Sequence, residues 1–530
     1  MKRIFKYAVL ASLAVAAVSC NKFLDTIPDN RTDIDDVSKI SKLLVSSYPK
    51  ATGVRMFEAR ADYVSDVGIV GTDDEVNRQS FFWRAKINST DKDSPDYLWQ
   101  RLYYAIAVSN HALAAAENIN DPEVVPFLAE AKLTRAFNHF YLACSFAKFY
   151  DPLTDNSSPG IPYVYEPEDV IIKEYERGTV ASTWEKVEQD LLAGIKDLGL
   201  DSKYAVPRFH FNIAAANAFA ARYYLYKGEW DEVIKYATVV IPKPTTFTAN
   251  GNVATSDPAN IFAQSSFHPW QTTYKESSSS TGIQLEYTKA SNPANLLITD
   301  CVSNWGRNVY SWRYNTKQPD TDGTVRGPNV TGGTWAFRSY YSSSTMAYRI
   351  PKIGEHFVYT TATTGITHIM MPQLRAEEPL LSRAEAYAQK GELDNAIADL
   401  NIYARWRIEN YDENRHLITL DKIVDFYSVL VGSDTHYMKV YNAYNTASMS
   451  FEQQCVLQCV LDFRRNEFKW EGLRYWDMNR YKMPITHTTV DGVSNTLYPG
   501  DDRWVLQIPE TAELSNVELN PMTNFLSDEW

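Results

Sequence analysis

The sequence has few cysteines, five in 530 residues, which is too sparse for a disulfide scaffold. It has no cluster of Lys and Arg beyond the first six residues, and its formal net charge is −13. A nucleic-acid partner is therefore not expected, because phosphate affinity depends on grouped cations. No run of about 18 or more uninterrupted apolar residues is present, so no helical membrane span is predicted. The sequence contains no GxSxG elbow, HExxH pair, GxxxxGK[ST] loop or GxGxxG turn. Apolar residues make up 45% and aromatic residues 13%, with 34 Tyr, 23 Phe and 13 Trp. That supply is enough for a large packed core and excludes a chain disordered throughout.

The first 20 residues read as an export signal. Lys2, Arg3 and Lys6 precede an apolar stretch from Ala8 to Val18, too short to span a bilayer but suited to the h-region of a signal peptide. The stretch ends Ala17-Val18-Ser19-Cys20, which resembles a bacterial lipobox. Residues 1–19 are expected to be removed and Cys20 to be lipidated, anchoring the chain to a membrane. Residues 21–38 are polar and read as a tether.

Beyond the tether the pattern is helical. Trp99, Leu102, Tyr103, Ile106 and Leu113 fall at helical spacing, as do Leu133, Ala136, Phe137, Phe140, Cys144 and Ala147. Cys144 lies on that apolar stripe and reads as a buried hydrophobe. Cys455 and Cys459 stand four apart with no His or Cys pair nearby to complete a zinc site, so they too read as a buried helical face. Residues 221–234 (ARYYLYKGEWDEVI) and 384–397 (AEAYAQKGELDNAI) agree at seven of fourteen positions. The repeat predicts a helix, a turn at Gly228 or Gly391, and a second helix starting near Trp230 or Leu393. This is the helical pair of tetratricopeptide repeats, dispersed rather than tandem.

The expected fold is mainly α: tetratricopeptide-like pairs forming one compact body with long loop and short-strand insertions. The expected divisions are the signal peptide 1–19, an N-terminal helical region 20–241, a loop-rich insertion 242–350 and a C-terminal helical region 351–530. The insertion is rich in Ser, Thr, Gly, Asn and Pro, and helical periodicity disappears there. It nevertheless holds eight aromatics between Trp305 and Tyr341. Long loops of this kind inside a compact protein are usually functional. Asp320-Thr321-Asp322-Gly323 faintly resembles a calcium loop, but Thr324 and Arg326 follow where ligands are needed, and it reads as a turn. No metal and no cofactor is expected.

A set of motifs, in order, resembles the SusD/RagB family of Bacteroidetes outer-membrane lipoproteins along nearly the whole chain. They are Cys20-Asn21-Lys22-Phe23-Leu24-Asp25, Trp99-x3-Tyr103-x2-Ile106-x3-Asn110, the run from Glu130 to Phe137, and Gly160-Ile161-Pro162. These are followed by Arg177-Gly178-Thr179-Val180, Asp190-Leu191 and Gly228-Glu229-Trp230. Near the end stand Arg464-Arg465-Asn466-Glu467-Phe468, Glu471-Gly472-Leu473-Arg474, Leu506-Gln507-Ile508-Pro509-Glu510 and Asn520-Pro521. Phe463-Arg464 replaces the usual Glu–Arg opening of the late motif, and a second asparagine–proline after Asn524 is not evident, which suggests a divergent subgroup. The resemblance implies a cell-surface, lipid-anchored, non-enzymatic protein. It would capture an oligo- or polysaccharide and deliver it to a SusC-like TonB-dependent outer-membrane transporter. Peptide capture by the same arrangement and a glycoside-active enzyme are the alternatives. Glu130, Arg135, Arg465, Glu467, Glu471 and Arg474 read as helix-to-helix ion pairs and caps.

Flat aromatic faces stack on the C–H patches of sugars, and Trp and Tyr supply that area at low entropic cost. The expected platforms are Phe82, Trp83, Trp270, Trp305, Trp312 and Tyr314. Arg307, Asn308, Arg313 and Asn315 are interleaved as hydroxyl partners. Trp99, Trp184, Trp230 and Trp476 sit in helical motifs and are assigned to the core.

Overall fold

The computed structural model describes residues 34–521 apart from 169, 171, 200–202, 244–279, 307–311, 317–327, 338–339 and 343–346. Helices dominate it. Pro95–Ala116 opens with Ser94 accepting from the Tyr97 N–H, Pro95 in the first turn and Asp96 beside it. These three features satisfy and complement the free N–H groups of a helix start. Thr179 and Ser182 exchange side-chain and backbone hydrogen bonds in a capping box that starts Val180–Asp197. Asn212 and Ser450 cap Ile213–Lys227 and Phe451–Glu467 by accepting from the Ala215 and Gln453 N–H groups.

Both copies of the internal repeat fold as the spacing predicts. Ile213–Lys227 ends at Gly228 and is followed by Trp230–Val240; Glu377–Lys390 ends at Gly391 and is followed by Leu393–Arg407. The two glycines hold φ of 81° and 77°, the left-handed turn that closes a helix. Small residues face the partners: Ala215, Ala216, Ala218, Ala220 and Ala221 in one copy, Ala384, Ala386 and Ala388 in the other, are all buried. The second helix of the first pair packs on the first helix of the second pair. The fold is thus mainly α, with tetratricopeptide-like pairs forming one body. Cys144, Cys455 and Cys459 are buried in helices, and Trp99, Trp184 and Trp476 lie in the core, with Trp230 packed at its margin.

Paired charges bind the helices together. Arg222 grips Glu378 through Nε–Oε1 and Nη2–Oε2 contacts of 2.6 and 2.5 Å, tying Ile213–Lys227 to Glu377–Lys390. Arg383 grips Asp399 at 2.8 Å on both prongs. Arg407 reaches Glu377 at 2.7 Å and Glu467 at 2.9 Å. Arg464 pairs with Asp477, and Arg480 joins Asp477 to Glu385. The motif residues behave as internal ties: Glu130 accepts from Tyr48 and Tyr204 hydroxyls, Glu471 meets Lys352, and Arg465 and Arg474 share Asp62. Buried guanidinium–carboxylate forks of this kind fix relative helix position more than they add net stability.

Among the described residues, three small antiparallel sheets sit on this body. One has the order β1 (Val64–Asp66), β3 (Tyr314–Thr316), β5 (Ala347–Arg349), β4 (Tyr340–Ser342). A second runs β2 (Asn295–Val302), β7 (Gly365–Arg375), β6 (Glu355–Tyr359), and a third pairs β8 (Ile485–Thr488) with β9 (Ser494–Leu497). The 242–350 stretch is not wholly irregular: it holds a helix at Ser280–Thr288, where Ile283 and Tyr287 are buried, and the strand β2. That helix is only nine residues long, too short for its period to stand out from the surrounding polar sequence. No helix among the described residues is long and apolar enough to cross a membrane.

Candidate functional site

Residues 81–82 and the segment 312–316, far apart in sequence, come together in space. β1 pairs with β3 through Val64↔Thr316, Ser65↔Asn315 and Asp66↔Tyr314. Next to that ladder, Thr72 bridges Trp312. The two segments run so close that a Cβ on Gly71 would lie 2.4 Å from the Arg313 Cα, an approach open only to glycine. Arg313 clamps Asp66 with Nε–Oδ1 and Nη2–Oδ2 distances of 2.7 and 2.8 Å. Burial works to raise the Asp66 carboxyl, but the Arg313 fork and the N–H groups of Gly68 and Val490 outweigh it and hold it below the usual range. The Glu75–Phe81 helix, capped by Asp74, then lays Phe81 on Tyr314 with ring centroids 4.4 Å apart.

The candidate platforms occupy this junction, but most of them face inward. Trp83 is sealed: its φ of 51° turns it under the helix end, its indole N–H donates to the Arg60 carbonyl, and its ring stacks on His487 at 4.3 Å. Trp305 donates to the Trp470 carbonyl at 3.2 Å and packs on the Trp470 ring. Trp312 carries the Arg55 guanidinium 3.9 Å above its ring, and Arg55 also pairs with Asp74 and with the buried Asp93. Tyr314 lies against Phe81 and Phe82, and burial pushes its hydroxyl up to about 12. Trp83, Trp305, Trp312 and Tyr314 are all less than 5% exposed. The expectation of solvent-facing platforms is therefore corrected for these four, which join the core because buried partners from distant segments cover their faces. Trp270, Arg307 and Asn308, like the Asp320 turn, lie outside the described residues.

Phe82 differs. It is half-buried, edge-on to Tyr314 at 5.5 Å, and it lines an open groove of 510 Å³ with Glu75, Arg78, Gln79, Arg84, Lys86 and Asn88. Gln79 accepts from the Asn88 N–H through its side-chain oxygen and donates to Glu75. Arg78 pairs with Glu75 and Asp73, and Lys86 with Glu510. The floor is thus one aromatic ring and the rim a set of amide and charged groups. The ring is among the expected platforms and the rim is not, because Arg78, Gln79, Arg84 and Asn88 carry no motif; the Glu75–Phe81 helix supplies Arg78 and Gln79, and Gln79 holds the backbone of Arg84 and Asn88 beside them. A second cleft of 410 Å³ is bounded by the 148–158 loop and residues 499–505, and none of the described candidate platforms lines it.

Comparison with known proteins follows the same lines. A family model of SusD-like proteins, described as starch-binding and associating with the outer membrane, matches residues 22–225. A second model, that of the SusD family, matches residues 262–522. No curated protein matches the chain. A SusD superfamily protein from Bacteroides fragilis superposes with a TM-score of 0.62 at 16% identity, covering 91% of this chain and 99% of its own. A SusD-like carbohydrate-binding protein from Bacteroides vulgatus gives 0.59 at 13% identity, covering 91% and 97%. A laminarin-binding SusD-like protein gives 0.52 at 15% identity, covering 92% and 99%. At these identities the structures speak for the fold, and the two adjoining sequence matches speak for descent. The chain belongs to the SusD/RagB family.

Proposed function

We propose that this protein is a non-catalytic glycan-binding lipoprotein of the outer-membrane surface, which captures an oligo- or polysaccharide and passes it to a SusC-like TonB-dependent transporter. The observation that carries the reading is the groove at Phe82, an aromatic floor with a rim of Arg78, Gln79, Arg84, Lys86 and Asn88. A sugar ring lies flat on such a floor while its hydroxyls bond amide and guanidinium groups around it. Family membership and the similarity to a carbohydrate-binding and a laminarin-binding SusD-like protein support the same reading. Trp270, Arg307 and Asn308 are proposed as further ligand contacts on the strength of their residue types. Cys20 is proposed to carry the lipid, which would hold the binding face at the membrane.

Calorimetry of the mature protein against a panel of soluble glycans tests the central claim. The wild type is expected to bind at least one glycan, and Phe82→Ala to weaken it by about tenfold or more, the loss of roughly 1.4 kcal/mol. A wild type that binds peptides and no glycan would replace the sugar with a peptide. Cys20→Ala should move the protein out of the membrane fraction in a strain lacking the transporter. Affinity purification from native membranes should recover a TonB-dependent barrel with the wild type; repeated recovery without one would remove the delivery step.

A further inference from the structure

The outer face of the β2–β7–β6 sheet carries a cluster outside the groove. His356 and His368 stand directly opposite each other on β6 and β7, and Asp300 on the neighbouring β2 pairs in register with Met370. The two-residue period of the strands puts all three side chains on one face, with Cys301 and Ile369 pointing the other way into the core. His368 Nδ1 lies 3.0 Å from both Asp300 carboxylate oxygens, and His356 Nε2 lies 3.4 Å from Asp300 Oδ1. One ligating atom from each residue falls within 4.8 Å of the other two.

The geometry points to a binding site for a zinc-class divalent cation formed by Asp300, His356 and His368. Two imidazoles and a carboxylate are the donor set zinc takes, whereas calcium and magnesium want oxygen donors throughout. Zinc–nitrogen and zinc–oxygen bonds of about 2.0–2.2 Å in a tetrahedron set donor atoms roughly 3.3–3.5 Å apart. The 3.4 Å distance falls within that spacing and the 3.0 Å distance is slightly short of it, so a slight spreading of His368 from Asp300 admits the ion. The donors sit on a hydrogen-bonded ladder rather than on a loop, which holds their spacing. Their side chains keep 44% (His356), 36% (Asp300) and 16% (His368) of their surface exposed, so the ion has a path in and its fourth position faces water. Binding would cross-link three strands, including β6, which is the edge of this sheet among the described residues and exposes Phe357, Val358 and Tyr359. An edge strand of that composition gains from a staple. The sequence gives little sign of the site, because the ligands are 12 and 56 residues apart and only the hairpin register aligns them.

Titration of the metal-free protein with zinc chloride in a calorimeter tests the site, with calcium chloride as the control ion. One equivalent of zinc should bind, calcium should not compete, and cobalt chloride should give the visible spectrum of a four-coordinate nitrogen–oxygen site. His356→Ala, at the most exposed ligand, should weaken zinc by at least about tenfold, since even lesser changes around a metal cost that much. His356→Ala with His368→Ala should abolish binding while leaving far-UV circular dichroism unchanged. Zinc should also slow hydrogen exchange in residues 355–368 of the wild type and not of the double variant. The proposal fails if zinc does not bind, or if the double variant binds it with unchanged stoichiometry and affinity.

Discussion

Arg135 and Asp190 close a two-point fork, Nε to Oδ2 and Nη2 to Oδ1, each 2.7 Å, between the Val125–Phe146 and Val180–Asp197 helices. Arg135 Nη1 also reaches the Asn110 side chain and the Tyr165 carbonyl, and the Tyr163 hydroxyl donates to Asp190 at 2.6 Å. Both charged side chains are nearly sealed from water. Asp190→Ala leaves the guanidinium buried without its counter-charge, and the expected loss is about 3–5 kcal/mol. The exposed pair Lys39–Asp35 is the contrast; removing it should change stability by no more than about 0.5 kcal/mol. Denaturant unfolding of the two variants measures both. An Asp190→Ala loss equal to that of Asp35→Ala would mean that the fork does not tie the helices.

Glu58 supplies a pH dependence. It is buried, its Oε2 accepts from the Tyr63 hydroxyl at 2.5 Å and its Oε1 from the Gly472 N–H at 2.7 Å. Burial pushes its carboxyl up to about 7 from an ordinary 4.5, with the Tyr63 and Gly472 hydrogen bonds pulling the other way. Between those two values the folded state holds a proton that the unfolded chain has released, so stability falls as pH rises through this window. The contribution is full below about 4.5 and gone above about 7, with an upper size of roughly 3 kcal/mol. Glu58→Gln removes the titration. Its stability relative to the wild type should therefore climb from pH 4.5 to 7.5, as read by urea unfolding at each pH. A difference that stays flat across that range would contradict the assignment.

The turn glycines are expected to rank in a definite order. Gly391 and Gly228 share the left-handed conformation, which costs an Ala about 1–2 kcal/mol. At Gly391 the nearest atom to an added Cβ is on Gln453, at an ordinary 3.9 Å. At Gly228 the Tyr444 ring stands at 3.0 Å and Pro152 at 3.3 Å, so the neighbours must also shift. Gly228→Ala should lower Tm more than Gly391→Ala, and by calorimetry the order should hold even if both effects are small.

Those turns were legible in the sequence because their causes are local: a glycine, a preceding alanine-rich stripe and a following amphipathic helix. The same holds for the helices that begin at Ser94 and Thr179, where capping chemistry lies within four residues. The insertion aromatics were not legible. Trp305 is covered by Trp470, and Trp312 by Arg55, partners 165 and 257 positions away. Nothing in the residues around Trp305 reports those contacts. Phe82 and Trp83 are adjacent yet differ in fate, because the positive φ at Trp83 turns its indole under the helix end. Alternation of that kind depends on a backbone conformation that residue type alone does not dictate.

The division between core and groove aromatics gives the sharpest contrast in mutants. Trp305→Ala removes an indole that fills space between Trp312 and Trp470 and donates to the Trp470 carbonyl. A buried large-to-small change of that kind costs about 3–5 kcal/mol. Trp312→Ala should cost a similar amount, and the pair should cost less than the sum, because the two rings share one cluster. Phe82→Ala removes a half-buried ring whose outer side faces the groove, so its Tm should fall by only a few degrees while glycan affinity drops. The measurement is calorimetric melting beside glycan titration for each variant. The separation fails if Trp305→Ala melts like the wild type and alone loses the ligand, which would put the binding surface at Trp305 rather than at Phe82.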